Sequence, residues 1–186
     1  LNTNENPYPP SPRVGEALRS FDADRLRRYP DAGATAFRQA VADALDVPAD
    51  WILPGDGSDD VILMIARAAL GPGRTVAYPV PTFTFYETQA RIEDARIVEL
   101  PAGDDFRLPA DALAQANADV TFVANPNSPT GTAAGLDDLS ALAGRLSGLL
   151  VIDEAYVDFA RVDALPLTRE HDNVICLRTL SKGYSL

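Results

Sequence analysis

The chain has 186 residues, 46% hydrophobic and 23% charged, which suits one domain with a sizeable core and places it with globular rather than disordered proteins. A formal net charge of −11 argues against a nucleic-acid backbone or an anionic membrane as partner, because both would repel it. The sequence shows no secretory signal, lipidation motif or bilayer-length apolar run, and its one cysteine, Cys176, permits no internal disulfide, which fits a reducing cytoplasm.

The first dozen residues, "LNTNENPYPPSP", are polar and proline-rich and read as an extended arm. Ser11 and Pro12 suit the N-cap and first position of a helix running to about Phe21. "RRYPDAG" reads as a turn, and a second helix follows over 34–45, with Phe37, Val41, Ala44 and Leu45 on its apolar stripe. "VILMIARAAL" is apolar nearly all round, the pattern of a buried helix, and "GPG" stops it. Strands and helices then alternate: strands at 75–79, 95–101, 119–126, 148–156 and 173–180, helices at 84–92, 109–117 and 136–146. The strands are short, β-branched and apolar on both faces, which predicts a mainly parallel sheet covered by helices and joined by right-handed crossovers. In such sheets the working residues lie in loops at the carboxyl ends of the strands.

Four of those ends carry polar groups. Strand 148–156 delivers Asp153, Glu154 and Tyr156. This is either a solvated acidic loop or a carboxylate held in a cleft against a cationic nitrogen or a metal. The only histidine, His171, lies in polar "TREHDNV" and reads as a surface residue, so a metal is disfavoured. Strand 119–126 runs into "NPNSPTGT", a rigid turn presenting side-chain amides. "GDGSDDVIL" puts Gly55 and Gly57 ahead of Ser58, which can cap the buried helix, and a helix start of this kind offers free amides to an anion. Asp56, Asp59 and Asp60 suit such a site only if they turn away or cap the helix, and neither nucleotide-binding glycine fingerprint is present. Finally "NVICL" leads into "RTLSK". Cys176 reads as core, and Lys182, beside Thr179 and Ser181, is either a surface lysine or an amine poised to attack a carbonyl.

In this order, "LNTNENPYPPSP", "RRYPD", "GDGSDD", "PTFTFYE", "NPNSPTGT", "VIDEAYVDF" and "RTLSKGYSL" resemble the fold-type-I, pyridoxal-phosphate-dependent class I/II aminotransferases, and within them the histidinol-phosphate aminotransferase branch. The resemblance implies an α/β/α sandwich around a mainly parallel sheet, with 1–22 an arm and the start of a small domain and 23–186 the cofactor-binding large domain. It assigns Lys182 to the covalent bond with pyridoxal 5′-phosphate and to proton transfer, Asp153 to the pyridine nitrogen and Tyr156 to the ring's 3-oxygen. It assigns Phe83 to stacking on the ring, with core packing as the plain alternative, and Ser58, Asp59, Thr179 and Ser181 to the phosphate. Tyr29 matches a tyrosine that reaches the neighbouring subunit's phosphate, which implies a homodimer with shared active sites.

One position departs from the pattern. The family's asparagine before Pro-Thr-Gly is Ser128 here, so its contact with the ring oxygen either passes to Asn127 or is lost. The expected reaction is transamination between L-histidinol phosphate and 2-oxoglutarate in the cytoplasm. Aromatic amino-acid transamination, decarboxylation of a phosphorylated amino acid, and a non-catalytic cofactor-sensing domain are the alternatives. The resemblance places a phosphate-binding arginine and a substrate-binding arginine beyond Leu186, so the chain is expected to be a fragment that is inactive alone.

Overall fold

A computed structural model describes residues 4–186. Five parallel strands form one sheet: β1 (Thr75–Val80), β2 (Arg96–Pro101), β3 (Val120–Ala124), β4 (Leu149–Asp153) and β5 (Val174–Leu177), in spatial order β2-β1-β3-β4-β5. The chain therefore steps outward from β1 to β2 and then crosses back past β1 to lay down β3. That reversal leaves a crevice between the carboxyl ends of β1 and β3, the place where open α/β sheets bind ligands.

Among the described residues, seven helices accompany the sheet: α1 (Pro12–Arg19), α2 (Thr35–Leu45), α3 (Gly57–Ala69), α4 (Phe85–Ile92), α5 (Ala110–Gln115), α6 (Leu136–Ala143) and α7 (Leu167–Glu170). Each face of the sheet has its own core. On one, Ile62, Ile65 and Ala66 of α3 and Tyr86 and Ala90 of α4 meet Val76, Tyr78, Val120, Phe122 and Val151. On the other, Leu113 of α5, Leu139 and Leu142 of α6 and Leu167 of α7 meet Ala77, Val123, Leu150 and Ile152. Neighbours along a strand, such as Phe122 and Val123, thus face opposite cores, as the two-residue period of a strand requires. The three-layer α/β/α architecture follows from strands that are apolar on both sides.

The central strands β1, β3 and β4 match the two-faced apolar pattern expected from sequence, but β2 does not. It is an edge strand with exposed Arg96, Glu99 and Pro101, because only β1 covers one side of it. Other expectations shift by a few residues. The strands at 119–126, 148–156 and 173–180 are shorter, since their last residues turn into loops. The first helix starts at Pro12 with Ser11 as N-cap, as expected, and stops at Arg19 rather than Phe21; those expected over 34–45, 109–117 and 136–146 are likewise trimmed at one or both ends. In α2 the inward stripe is Arg38, Val41, Ala42 and Leu45, while Phe37 and Ala44 face out, a rotation of the predicted face. The cap of α3 is Asp56 rather than Ser58: the helix starts at Gly57, and the Asp60 carboxylate reaches back to accept the Asp56 N–H at 3.0 Å. His171 is half-buried, 2.9 Å from the Ser140 hydroxyl, rather than on the open surface. Helix α7 and the short 3₁₀ turns at Ala23–Arg27, Ala49–Trp51 and Val157–Phe159 carry too little periodic signal to be read in advance. Among the described residues no helix is long and apolar enough to cross a membrane.

The start of β4 passes so close to β3 that only glycine fits there. A Cβ on Gly148 would lie 2.3 Å from the Ala118 carbonyl oxygen and 2.4 Å from that of Asp119. The adjacent bond from Leu149 N–H to Asp119 O, 2.9 Å, opens the β3–β4 ladder. Backbone atoms cannot swing aside as a side chain does, so Gly148→Ala is expected to destabilise the full-length protein by about 2 kcal/mol or more. Urea denaturation followed by circular dichroism measures it.

Candidate active site

The sheet brings most of the sequence-predicted residues to one edge. Asp153 is the last residue of β4 and only 4% exposed. Its Oδ2 accepts a hydrogen bond from the Tyr86 hydroxyl at 2.6 Å, and its Oδ1 accepts the Ala155 N–H at 3.0 Å. Burial raises the carboxyl above the ordinary aspartate range, the two hydrogen bonds pull it back, and nearby Asp59 pushes it up further. Tyr86 itself is fully buried. Its ring stacks on Phe122 at 4.6 Å, nearly parallel, and burial together with Asp153 holds its phenol well above the usual value. A phenol that stays protonated can only donate here, so Tyr86 fixes the orientation of the carboxylate.

Tyr86 was not among the residues singled out from sequence. It sits on the first turn of α4, three positions after Phe83, which lies in the loop just ahead of that helix. The Phe83 and Tyr86 rings meet in a T-shaped contact at 5.7 Å, and Phe83 remains 37% exposed. The signal available in "PTFTFYE" was this spacing of aromatics around the end of β1.

The β1 and β3 loops are tied to each other through Asn127. Its amide nitrogen donates to the Pro81 carbonyl at 2.9 Å and to Thr130 Oγ1 at 2.8 Å, and its carbonyl accepts from the Thr82 hydroxyl at 2.7 Å. Both N–H donors of Asn127 are thereby engaged. Asn125, the other amide of "NPNSPTGT", is buried and pins the other end of the same loop, accepting the Ala134 N–H at 2.7 Å.

Beyond β5, the Thr179 hydroxyl donates to Ser181 Oγ at 3.0 Å and accepts the Ser181 N–H at 3.2 Å, which curls the loop before Lys182. The Lys182 ammonium lies 5.7 Å from the centre of the Tyr156 ring. The N-terminal arm closes over both. Asn4 Nδ2 donates to the Tyr156 hydroxyl at 2.8 Å, Asn6 Nδ2 donates to the Lys182 carbonyl at 2.8 Å, and Ser185 Oγ donates to the Tyr8 carbonyl at 3.0 Å. Between arm and loop is an open cleft of about 650 Å3, lined by Asn4, Asn6, Tyr8, Tyr156, Lys182 and Tyr184 among others. Gly183 lets the loop settle against the turn after Tyr156, since a Cβ there would fall 2.3 Å from the Asp158 carboxylate.

Not every predicted residue joins this cluster. Asp153, Phe83, Asn127 and Ser58 lie outside the lining of the cleft, although Asp59, at the start of α3, is close enough to act electrostatically on both Asp153 and Tyr86. Tyr29 stands entirely in solvent, 102% exposed, on the connection between α1 and α2. No group of His, Cys, Asp and Glu suited to a metal ion occurs among the described residues.

Comparison with known proteins bears on family and fold. The family model described as aminotransferase class I and II matches residues 1–186. Over 186 residues the chain is 51% identical to histidinol-phosphate aminotransferase 1 of Trichormus variabilis and 42% identical to histidinol-phosphate aminotransferase of Geotalea daltonii. In both cases all of this chain aligns with 53% of the relative, so the chain spans about half the length of the curated relatives it matches. Among solved structures, histidinol-phosphate aminotransferase from Sinorhizobium meliloti, in complex with pyridoxal-5′-phosphate, superposes with a TM-score of 0.90 at 31% identity, covering 98% of this chain and 52% of that one. L-threonine-O-3-phosphate decarboxylase from Porphyromonas gingivalis shares the fold, with a TM-score of 0.81 at 22% identity over 94% of this chain and 55% of its own. The chain belongs to the class I and II aminotransferase family.

Proposed function

We propose that this chain carries the cofactor-binding part of a cytoplasmic, pyridoxal-phosphate-dependent aminotransferase that moves an amino group between L-histidinol phosphate and 2-oxoglutarate. One observation carries the reading. Lys182 is the only lysine in the chain, every other strongly basic residue being arginine, and it stands in the loop leaving β5, next to the strand that ends on Asp153. A sequence that meets all its other cationic needs with arginine keeps a lysine where only lysine serves. An amine can be deprotonated and can attack a carbonyl, and a guanidinium cannot. The choice of substrate is supported by relatives at 41–51% identity that are named for it.

The residues present fit pyridoxal phosphate. Lys182 would bond to its aldehyde carbon, Asp153 would pair with its ring nitrogen, and Tyr156 would meet its 3-oxygen. Burial makes the Asp153 charge expensive, and a cationic nitrogen beside it reverses that penalty. Ser58 and Asp59 at the start of α3, with Thr179 and Ser181, would receive the phosphate, chiefly through N–H groups that the first turn of a helix leaves unbonded. Asp60 caps the helix instead of facing that site. Phe83 would cover the ring. Asn127 already uses both its donors, so its proposed part is to hold the Thr82–Phe83 loop against β3.

When bound, the cofactor supplies an electron-withdrawing ring that stabilises negative charge at the substrate α-carbon. The chain's own residues do the rest. Lys182 Nζ would take the proton from that carbon and hold it for return to the substrate side. Tyr86 keeps the Asp153 carboxylate turned toward the crevice, and Asn4 keeps the Tyr156 phenol oriented, since an amide nitrogen only donates and so leaves the phenol proton available. In this reading 1–22 belongs to an arm and small domain and 23–186 to the large domain. The solvated Tyr29 would reach the site of a second copy in a homodimer.

Three outcomes test the proposal on full-length protein. Borohydride reduction of the cofactor-loaded enzyme, followed by peptide mapping, is expected to place the adduct on Lys182; an adduct on another lysine, or turnover of phenylalanine but not histidinol phosphate, rejects the reading. Asp153→Asn should abolish transamination yet raise Tm of the cofactor-free protein at pH 8. The sign follows from the raised carboxyl: folding disfavours its ionised form, so the wild type carries a penalty above the carboxylate range that vanishes as pH falls and the group protonates. The Tm difference should therefore shrink on acidification. Tyr86→Phe removes a charge-assisted hydrogen bond and should cost about 2 kcal/mol in urea denaturation at pH 8, less at low pH, and weaken cofactor retention in dialysis.

A further inference from the structure

Glu154 and Arg178 flank the site without a part in it so far. Glu154 follows Asp153 directly and is 1% exposed, and Arg178 directly precedes Thr179. The β4–β5 ladder ends at Asp153 opposite Leu177, with a final backbone bond from Glu154 N–H to the Leu177 carbonyl at 2.8 Å. Past that rung the side chains take over. Arg178 Nε donates to Glu154 Oε2 at 2.9 Å. Its Nη2 lies 2.9 Å from the same oxygen and 3.2 Å from Asp163 Oδ1, ion-paired with both but off the axis of a hydrogen bond. The other Glu154 oxygen accepts the Ala164 N–H at 2.5 Å. One carboxylate thus joins the end of β4, the loop at Ala164 into which the Tyr156 turn runs, and the residue that opens the Lys182 loop.

Stability alone is a weak reason for such a pair. Desolvating two charges consumes most of what their attraction returns, and two well-packed apolar side chains of similar volume serve stability as well or better. What a forked, directional contact adds is fixed geometry. A lysine at 178 could neutralise Glu154, but its single ammonium could not keep the Nε–Oε2 bond while a second nitrogen lies against Asp163, as the planar guanidinium does.

We propose that Glu154 and Arg178 are positioning residues, a clamp that sets the Lys182 loop relative to Asp153 and Tyr156. The inference rests on the aminotransferase reading and concerns how that site is held. It explains why a buried carboxylate and a half-buried guanidinium stand in the first position past the ends of β4 and β5, between the two loops.

The test uses full-length protein loaded with pyridoxal phosphate, comparing wild type, Glu154→Gln and Arg178→Lys. Leu150→Ala, a cavity in β4 on the sheet face packed against α5 and α6, controls for lost stability. Four quantities are read: Tm, the pH midpoint of the bound cofactor's visible absorbance, and kcat and KM for histidinol phosphate. Both clamp variants should shift the midpoint and lower kcat about 10²-fold with KM within about threefold, the pattern of misplaced reacting groups. Leu150→Ala should lower Tm and leave midpoint and kcat near wild type. Wild-type midpoints in both clamp variants, or an equal shift in Leu150→Ala, overturn the clamp. If Glu154→Gln does not fold, Arg178→Lys, which keeps the charge and loses the fork, is judged by the same criteria. A wild type that takes up no cofactor overturns the aminotransferase reading and this inference with it, whereas a loaded wild type with unshifted variants overturns the clamp alone.

Discussion

The buried carboxylate of Asp153 is the constraint around which the rest of the site is arranged. An ionised aspartate at the end of a central strand, covered by helices on both sheet faces, survives only with donors aimed at both oxygens. Tyr86 and the Ala155 N–H supply them. Tyr86 can do so because α4 packs on the sheet with its ring flat against Phe122, so that one aromatic contact in the core decides how this buried carboxylate is held. The polar site is in this sense an outgrowth of the hydrophobic packing on that face.

Around Asp153 the loops are fixed mostly by amides and hydroxyls rather than by charge. Asn127 holds β1 to β3, Asn125 holds the far end of the same loop, and Asn4 and Asn6 hold the N-terminal arm over Tyr156 and Lys182. Neutral groups of this kind orient a backbone without imposing a field of their own, and the acidic chain has no shortage of field. The exception is the Glu154–Arg178 pair, which lies where two strands stop pairing and where a rigid joint has the most leverage on the loops beyond.

Much of the fold was legible in the sequence because short β-branched runs separated by helical periods leave few alternatives to a parallel sheet with two covered faces. What was misread has identifiable causes. The edge position of β2 depends on strand order, which no single segment encodes. The inward face of α2 was set by Arg38, whose guanidinium Nε donates to the Ala49 carbonyl at 2.8 Å, so a charged residue lies inward where an apolar stripe was expected. The cap of α3 moved from Ser58 to Asp56 because a carboxylate four residues on, Asp60, could reach back to it.

The residues with strong chemical identity were legible too. Asp153 after an apolar strand, a single lysine after hydroxyls, and an aromatic followed by a helix start are local facts, fixed by residue type and position in the chain. The pairing of Tyr86 with Asp153 joins residues 67 positions apart, and that of Glu154 with Arg178 joins residues 24 apart. Neither partner carries a mark of the other. Local propensity and hydrophobic period determine which segments become strands and helices, because those are set by neighbouring residues. Which side chains then meet is decided only when the crossover past β1 brings distant strand ends together.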